Sequence, residues 1–151
     1  MKSIFIALVI ATLSGCGSTQ KFDTEQSKVS KPGLGTLAVD WIKMKSKKYD
    51  FKWTLTNDYN GSTIVLLSDI QCFKGNKMGT LKHTFFNTGE RTIDFAQGQT
   101  KSFKTVCNLG ANVEGAARIM ILRIYSNPSN DGLTRKDVIA ENIEWKAPVN
   151  K

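Results

Sequence analysis

Residues Tyr49 to Asn57 read YDFKWTLTN, and this stretch decides the fold class. Tyr49, Phe51, Trp53 and Leu55 fall on one parity, Asp50, Lys52, Thr54 and Thr56 on the other. Successive side chains of a strand point to opposite faces, so the pattern describes a strand with one buried and one wet side. NDYNGS (57–62) follows, and its Asn60-Gly61 step is a turn signal leading into TIVLLSDIQC (63–72). Tyr49 to Cys72 is therefore expected to form a hairpin.

Strand-like segments recur downstream in GTLKHTFF (79–86), RTIDFA (91–96), KSFKTVCNL (101–109) and VIAENIEW (138–145). Turn-rich stretches separate them: NTGE (87–90), QGQT (97–100), NLGANVEG (108–115) and SNPSNDGLTRKD (126–137). AARIMILRIY (116–125) is apolar on both parities and is expected as a central strand. In VIAENIEW, Glu141 shares the parity of Ile139, Ile143 and Trp145, so that strand needs an irregularity or an edge position. About seven or eight strands, with no amphipathic helix, predict an all-β fold: an antiparallel, immunoglobulin-like β-sandwich over residues 36–151. Two features depart from the immunoglobulin signature. No Trp lies between Cys72 and Cys107, and Thr105 stands where the corner tyrosine would be.

The start of the chain has a different character. Met1-Lys2-Ser3 supplies a positive charge ahead of IFIALVIATL, ten mostly apolar residues from Ile4 to Leu13. A bilayer-spanning helix needs about 20 such residues, so the run has the anatomy of a secretory signal peptide. Leu13-Ser14-Gly15-Cys16 then resembles the lipobox of bacterial lipoproteins. The resemblance implies a signal peptide over 1–15 and cleavage before Cys16, with a diacylglycerol on its thiol and acylation of its freed amine. It also implies attachment to a membrane through this N-terminal lipid. Gly17, where an Asp would favour inner-membrane retention, points to the outer membrane facing the periplasm.

The alternative makes Ile4 to Leu13 a buried element and Cys16 a core thiol. The polar, aperiodic GSTQKFDTEQSKVSKPGLG (17–35) that follows speaks against it. With Pro32, Gly33 and Gly35, residues 16–35 read as an acylated N-terminus and flexible tether.

With Cys16 committed to lipid, Cys72 and Cys107 remain as a pair in an oxidising compartment, where disulfides persist. They are expected to form a structural disulfide across two strands. Their wide separation, with no Cys-x-x-Cys, disfavours a redox-active dithiol.

Catalytic signatures are sparse. His83 is the one histidine, which excludes any site built on two imidazoles, including the common zinc arrangements. It is expected to be a surface or partly packed residue rather than a general base. No nucleophile elbow, phosphate loop or dinucleotide fingerprint occurs. Asp40, Asp94 and Glu144 stand alone in strand-like segments and read as solvated, not as a glycosidase pair. NPSNDG (127–132) resembles half of a calcium loop, but Val138 replaces the closing acid and Arg135 adds positive charge, so a polar turn is expected and no metal. Asn60-Gly61-Ser62 also matches a glycosylation acceptor, although the turn already accounts for it. The reading is of a protein that is not an enzyme and has no cofactor.

Charge supplies the remaining clue. The chain has 21 Lys and Arg against 13 Asp and Glu, a formal net of +8 that becomes +7 when Lys2 leaves with the signal peptide. Lys43, Lys45, Lys47 and Lys48 cluster in KMKSKK, at the end of the first strand. Such a surface suits an anionic envelope polymer or lipid headgroup, and the compartment disfavours nucleic acid. The bland alternative is that the lysines solvate a strand end and protect an edge from pairing. Ser126 to Asp137, with Asn127, Asn130, Asp131 and Arg135, offers a second candidate binding surface with mixed hydrogen bonding.

The sequence thus implies a lipid-anchored, noncatalytic binding or assembly module of the envelope. The alternative is an inhibitor or accessory subunit of an envelope enzyme or secretion machine, with an envelope protein as partner. Nothing in the sequence sets an oligomeric state.

Overall fold

The computed structural model describes residues 17–83, 91–129 and 135–148. In chain order the strands are β1 (Thr19–Lys21), β2 (Lys28–Lys31), β3 (Gly35–Met44), β4 (Lys48–Asn57), β5 (Thr63–Leu66) and β6 (Ile70–Lys74). They continue with β7 (Lys77–Met78), β8 (Thr80–His83), β9 (Thr92–Phe95), β10 (Thr100–Asn108), β11 (Ala117–Ser126) and β12 (Val138–Lys146). No α-helix occurs among the described residues.

These strands form two antiparallel sheets packed as a sandwich, as the sequence predicts. One sheet runs β1-β3-β4-β10-β8, with β2 also on β3, and the other runs β7-β6-β11-β5-β9, with β12 also on β11. Strand β4 lies between β3 and β10 and turns Tyr49, Phe51, Trp53 and Leu55 into the core, each no more than 2% exposed. The alternation read in YDFKWTLTN is the alternation of this buried face. From the facing sheet come Ile119, Ile121 and Ile124 of β11, with Ile143 and Trp145 of β12. Strand β11 is central, paired with β12 on one side and with β6 and β5 in succession on the other.

The disulfide Cys72–Cys107 joins β6 to β10 and so ties the two sheets together, with Cα atoms 6.1 Å apart. Both cysteines are fully buried. By loop-closure entropy a link across this separation stabilises by roughly 3 to 4 kcal/mol. Beside it, the Tyr49 hydroxyl donates to the carbonyl of Phe73 at 2.9 Å, again from one sheet to the other.

The irregularity required in β12 lies at Glu141 and Asn142. Ala140 and Ile143 both face inward, and Asn142 between them has φ 52°. Strand β11 reverses parity opposite it, from Ile121 to Ile124, so the two strands bend together. Among the described strands β12 is paired only to β11, which also makes it an edge.

Three expectations need correction. Residues 17–35 are not a free tether: β1 and β2 pair with successive lengths of the β3 edge. Phe22 packs edge-on against Trp145 with ring centroids 4.9 Å apart, and the Trp145 indole donates to the Gln26 carbonyl at 2.9 Å. The physical reason is that β3 would otherwise expose a row of unpaired backbone groups, which a polar segment with one aromatic covers.

The Tyr49–Cys72 hairpin does not form, because β4 and β5 belong to different sheets. Asn57, 3% exposed, shapes the turn instead: its side-chain amide donates to the carbonyls of Gly61 at 2.7 Å and Ala96 at 3.0 Å. The turn therefore carries the chain across the sandwich. TIVLLSDIQC is also broken by the 3₁₀ turn Leu67–Asp69. This break, the short β7 and the two N-terminal strands raise the number of strands to twelve among the described residues.

Finally, KMKSKK ends β3 as expected, but it does not face an open edge, because β1 pairs there. It is the tip of the β3–β4 hairpin, closed by the Lys45 N–H donating to the Lys48 carbonyl at 2.9 Å.

Candidate functional site

The hairpin tip is the more fully built of the two candidate surfaces. Lys45, Lys47 and Lys48 are exposed there, while Lys43 is half-buried and paired with Thr19 of β1. The Leu109 N–H donates to the Lys47 carbonyl at 2.8 Å, which holds the tip from the β10 side without using the lysine side chain. Lys45 is neutralised by Asp50 at 2.6 Å. Lys47 and Lys48 have no ion-pair partner among the described residues.

The first described residue, Gly17, sits against this tip. The Met44 N–H donates to the Ser18 carbonyl at 3.1 Å, and a Cβ on Gly17 would fall 1.9 Å from the Met44 carbonyl oxygen. Only glycine fits there without moving the backbone. Gly17, Ser18 and Met44 to Lys48 line a cleft of about 600 Å³. Cys16, the expected lipidation site, lies outside the described residues and immediately precedes Gly17.

The second surface is the Ser126 to Asp137 segment. Asn130 and Asp131 lie outside the described residues. Asn127 is fully buried, its N–H donates to the Ser62 carbonyl at 2.8 Å, and neither atom of its side-chain amide has a hydrogen-bond partner among the described residues. It is thus a packed residue and not an exposed ligand-binding one. Arg135 stacks its guanidinium over the Tyr125 ring at 5.7 Å, and Arg123 lies at the same distance from that ring. Arg123 also holds Asp69, 2% exposed, at 2.8 Å. This hydrogen bond raises the Arg123 pKa above its ordinary value, and burial raises that of Tyr125.

Register places the two surfaces at opposite ends of the sandwich. Tyr49 pairs with Cys107, and Cys107 is bonded to Cys72, which pairs with Ile119 near the start of β11. The other end of β11, Ser126, pairs with Thr63 on the far side of the turn that follows β4. The structure therefore groups Lys43, Lys45, Lys47 and Lys48 at one end and places Asn127 and Arg135 at the other. Lys74, Lys77 and Lys146 extend the basic end onto the second sheet, where Lys74 pairs with Lys77 and Lys146 pairs with Arg118.

His83 is half-buried in β8, in register with Thr105, and burial lowers its pKa. Asp40 pairs with Lys52 at 2.9 Å, Asp94 with Lys101 at 3.5 Å and Glu144 with Arg118 at 2.8 Å, so each acid has a cation beside it. No three His, Cys, Asp or Glu side chains among the described residues converge as metal ligands.

Sequence reading missed the packing roles of Gly17 and Asn57 and the Asp69–Arg123 pair, because each is set by a residue distant in the chain. Comparison with protein-family models, curated proteins and solved structures finds no match to this chain.

Proposed function

We propose that the protein is a lipid-anchored, noncatalytic module of a bacterial envelope that binds or assembles an envelope component. The lipobox-like Leu13-Ser14-Gly15-Cys16 supports the anchor, and Gly17 supports an outer-membrane location facing the periplasm. The observation that carries the reading is the seating of Gly17 on Met44 beside Lys45, Lys47 and Lys48. It brings Gly17, which follows the expected anchor point, and the basic cluster to one end of a disulfide-linked sandwich, leaving the opposite end to meet a partner.

The test begins with Cys16→Ala, which should abolish acylation and processing and leave a precursor retaining residues 1–15. Recovery of a normally processed, detergent-partitioning protein would overturn the anchor. Crosslinking in native membranes, followed by purification, should then capture an envelope component. Anionic polymer as the captured species supports the binding module, whereas a stoichiometric protein gives the accessory-subunit alternative. A turnover that copurifies with the protein and depends on His83 would overturn the noncatalytic reading.

A further inference from the structure

We infer that the end of the sandwich formed by Gly17, the β3–β4 hairpin tip and Lys74, Lys77 and Lys146 is a bilayer-docking surface. Lys47 and Lys48 engage the anionic phospholipid headgroups of the leaflet that holds the acyl chains. The domain then stands on the membrane in a fixed orientation instead of swinging on a tether. This rests on the lipid anchor proposed above and adds to it the partner of the basic end.

With β1 and β2 paired to β3, the chain is bound to the sandwich from Ser18 onward. One residue spans at most roughly 3.6 Å, so an acylated Cys16 holds the Gly17 end of the cleft close to the headgroups. Lys45, Lys47 and Lys48 line that same cleft. Charges this near a surface lie within the screening length of about 8 Å at physiological ionic strength, so an anionic leaflet attracts them directly.

The local carboxylates do not cancel the field. Asp50 is taken by Lys45 and Glu144 by Arg118, leaving Glu114, whose carbonyl lies beside Gly75, against Lys47, Lys48, Lys74, Lys77 and Lys146. A polymer reaching the lysines would have to enter between the domain and its own membrane, whereas phospholipid is already there.

Fixing the basic end downward raises the other end. Strand β4 runs from Lys48 to Asn57, and at about 3.3 Å per residue it separates the hairpin tip from the Gln97 turn by roughly 30 Å. The Arg123, Tyr125 and Arg135 cluster then faces away from the membrane, where a partner can reach it.

The experiment uses the full acylated chain in vesicles, carrying a fluorescent label at Ser46→Cys or Gln97→Cys, both exposed turn positions. Quenching by lipids spin-labelled at the headgroup is compared between vesicles containing phosphatidylglycerol and vesicles of phosphatidylcholine alone. In the anionic vesicles the label at position 46 should be quenched at least twofold more strongly than that at 97. The difference should shrink in phosphatidylcholine, in high salt and with Lys47→Gln and Lys48→Gln together. Equal quenching at the two positions, or stronger quenching at 97, overturns the orientation. A positional difference indifferent to lipid charge and to both lysine changes overturns the headgroup contact. Mass spectrometry of the same samples reads Cys16 directly. Acylated protein with no preferred orientation sinks this inference alone, while absence of lipid on Cys16 sinks it together with the anchor.

Discussion

The Tyr49 hydroxyl reaches across the sandwich from β4 to the Phe73 carbonyl of β6 at 2.9 Å, with the Arg118 carbonyl of β11 a second acceptor at 3.2 Å. One fully buried phenol thus joins three strands in two sheets, next to the disulfide. Tyr49→Phe keeps the ring and removes the donor, leaving both carbonyls unsatisfied on that side. A loss of about 1 to 3 kcal/mol in denaturant unfolding at neutral pH is expected.

Burial also raises the Tyr49 pKa from its ordinary 10.0. The unfolded chain gives up this proton before the folded one does. The stability linked to the protonated phenol is therefore complete below pH 10 and is lost as the pH rises towards the folded value. The advantage of wild type over Tyr49→Phe should narrow between pH 9 and 11. An advantage that stays constant over that interval would contradict this account of the phenol.

Gly79 packs against the disulfide itself. A Cβ there would lie 2.4 Å from the Cys107 sulfur and 3.1 Å from that of Cys72, while the Gly79 N–H donates to the Cys72 carbonyl at 2.9 Å. Gly79→Ala should cost about 1 to 3 kcal/mol through overpacking. In a Cys72→Ala, Cys107→Ala background both sulfurs are gone and the cost should fall, giving a measurable coupling in the double-mutant cycle. An identical cost in both backgrounds would place the clash elsewhere.

Asp69 is buried and among the described residues its charge partner is Arg123, which remains about half exposed. Truncating the arginine strands a buried carboxylate. Solvent screening at the half-exposed arginine tempers the effect, and Arg123→Ala should lower the thermal unfolding midpoint. Adding Asp69→Asn should restore part of the loss, since the stranded charge is then removed. Thermal unfolding of the single and double variants decides the point, and a double variant less stable than Arg123→Ala would refute it.

His83 supplies a pH dependence on the acid side. Burial lowers its folded pKa below the unfolded value of 6.5. Below about pH 6.5 the unfolded state holds the extra proton, so stability falls with pH until the folded imidazole also protonates. Unfolding free energies between pH 7.5 and 5 should therefore decline less steeply in His83→Gln than in wild type. Parallel profiles would show that another group is responsible.

The sandwich was legible in the sequence because side-chain alternation is a property of each strand's own backbone. Tyr49, Phe51, Trp53 and Leu55 declare a buried face whatever lies opposite, and the doubly apolar AARIMILRIY declares a central strand. The cysteine pair was legible by count, since Cys72 and Cys107 remain once Cys16 is set aside.

Strand partnership is another matter. Asn60-Gly61 suits a hairpin and a sheet-to-sheet corner equally, and only the contacts of Asn57 with Gly61 and Ala96 select the corner. TQK and KVSK are too short and polar to show a period, and they become strands because the β3 edge offers unpaired backbone groups. The sequence by itself determined the extended segments that carry an apolar period, which of their faces are apolar and where the lysines of KMKSKK cluster. Tertiary structure alone decided that Gly17 rests beside Lys47 and Lys48, and that Arg135 stands at the opposite end. Those relationships depend on pairings between residues far apart in the chain, and no local pattern encodes them.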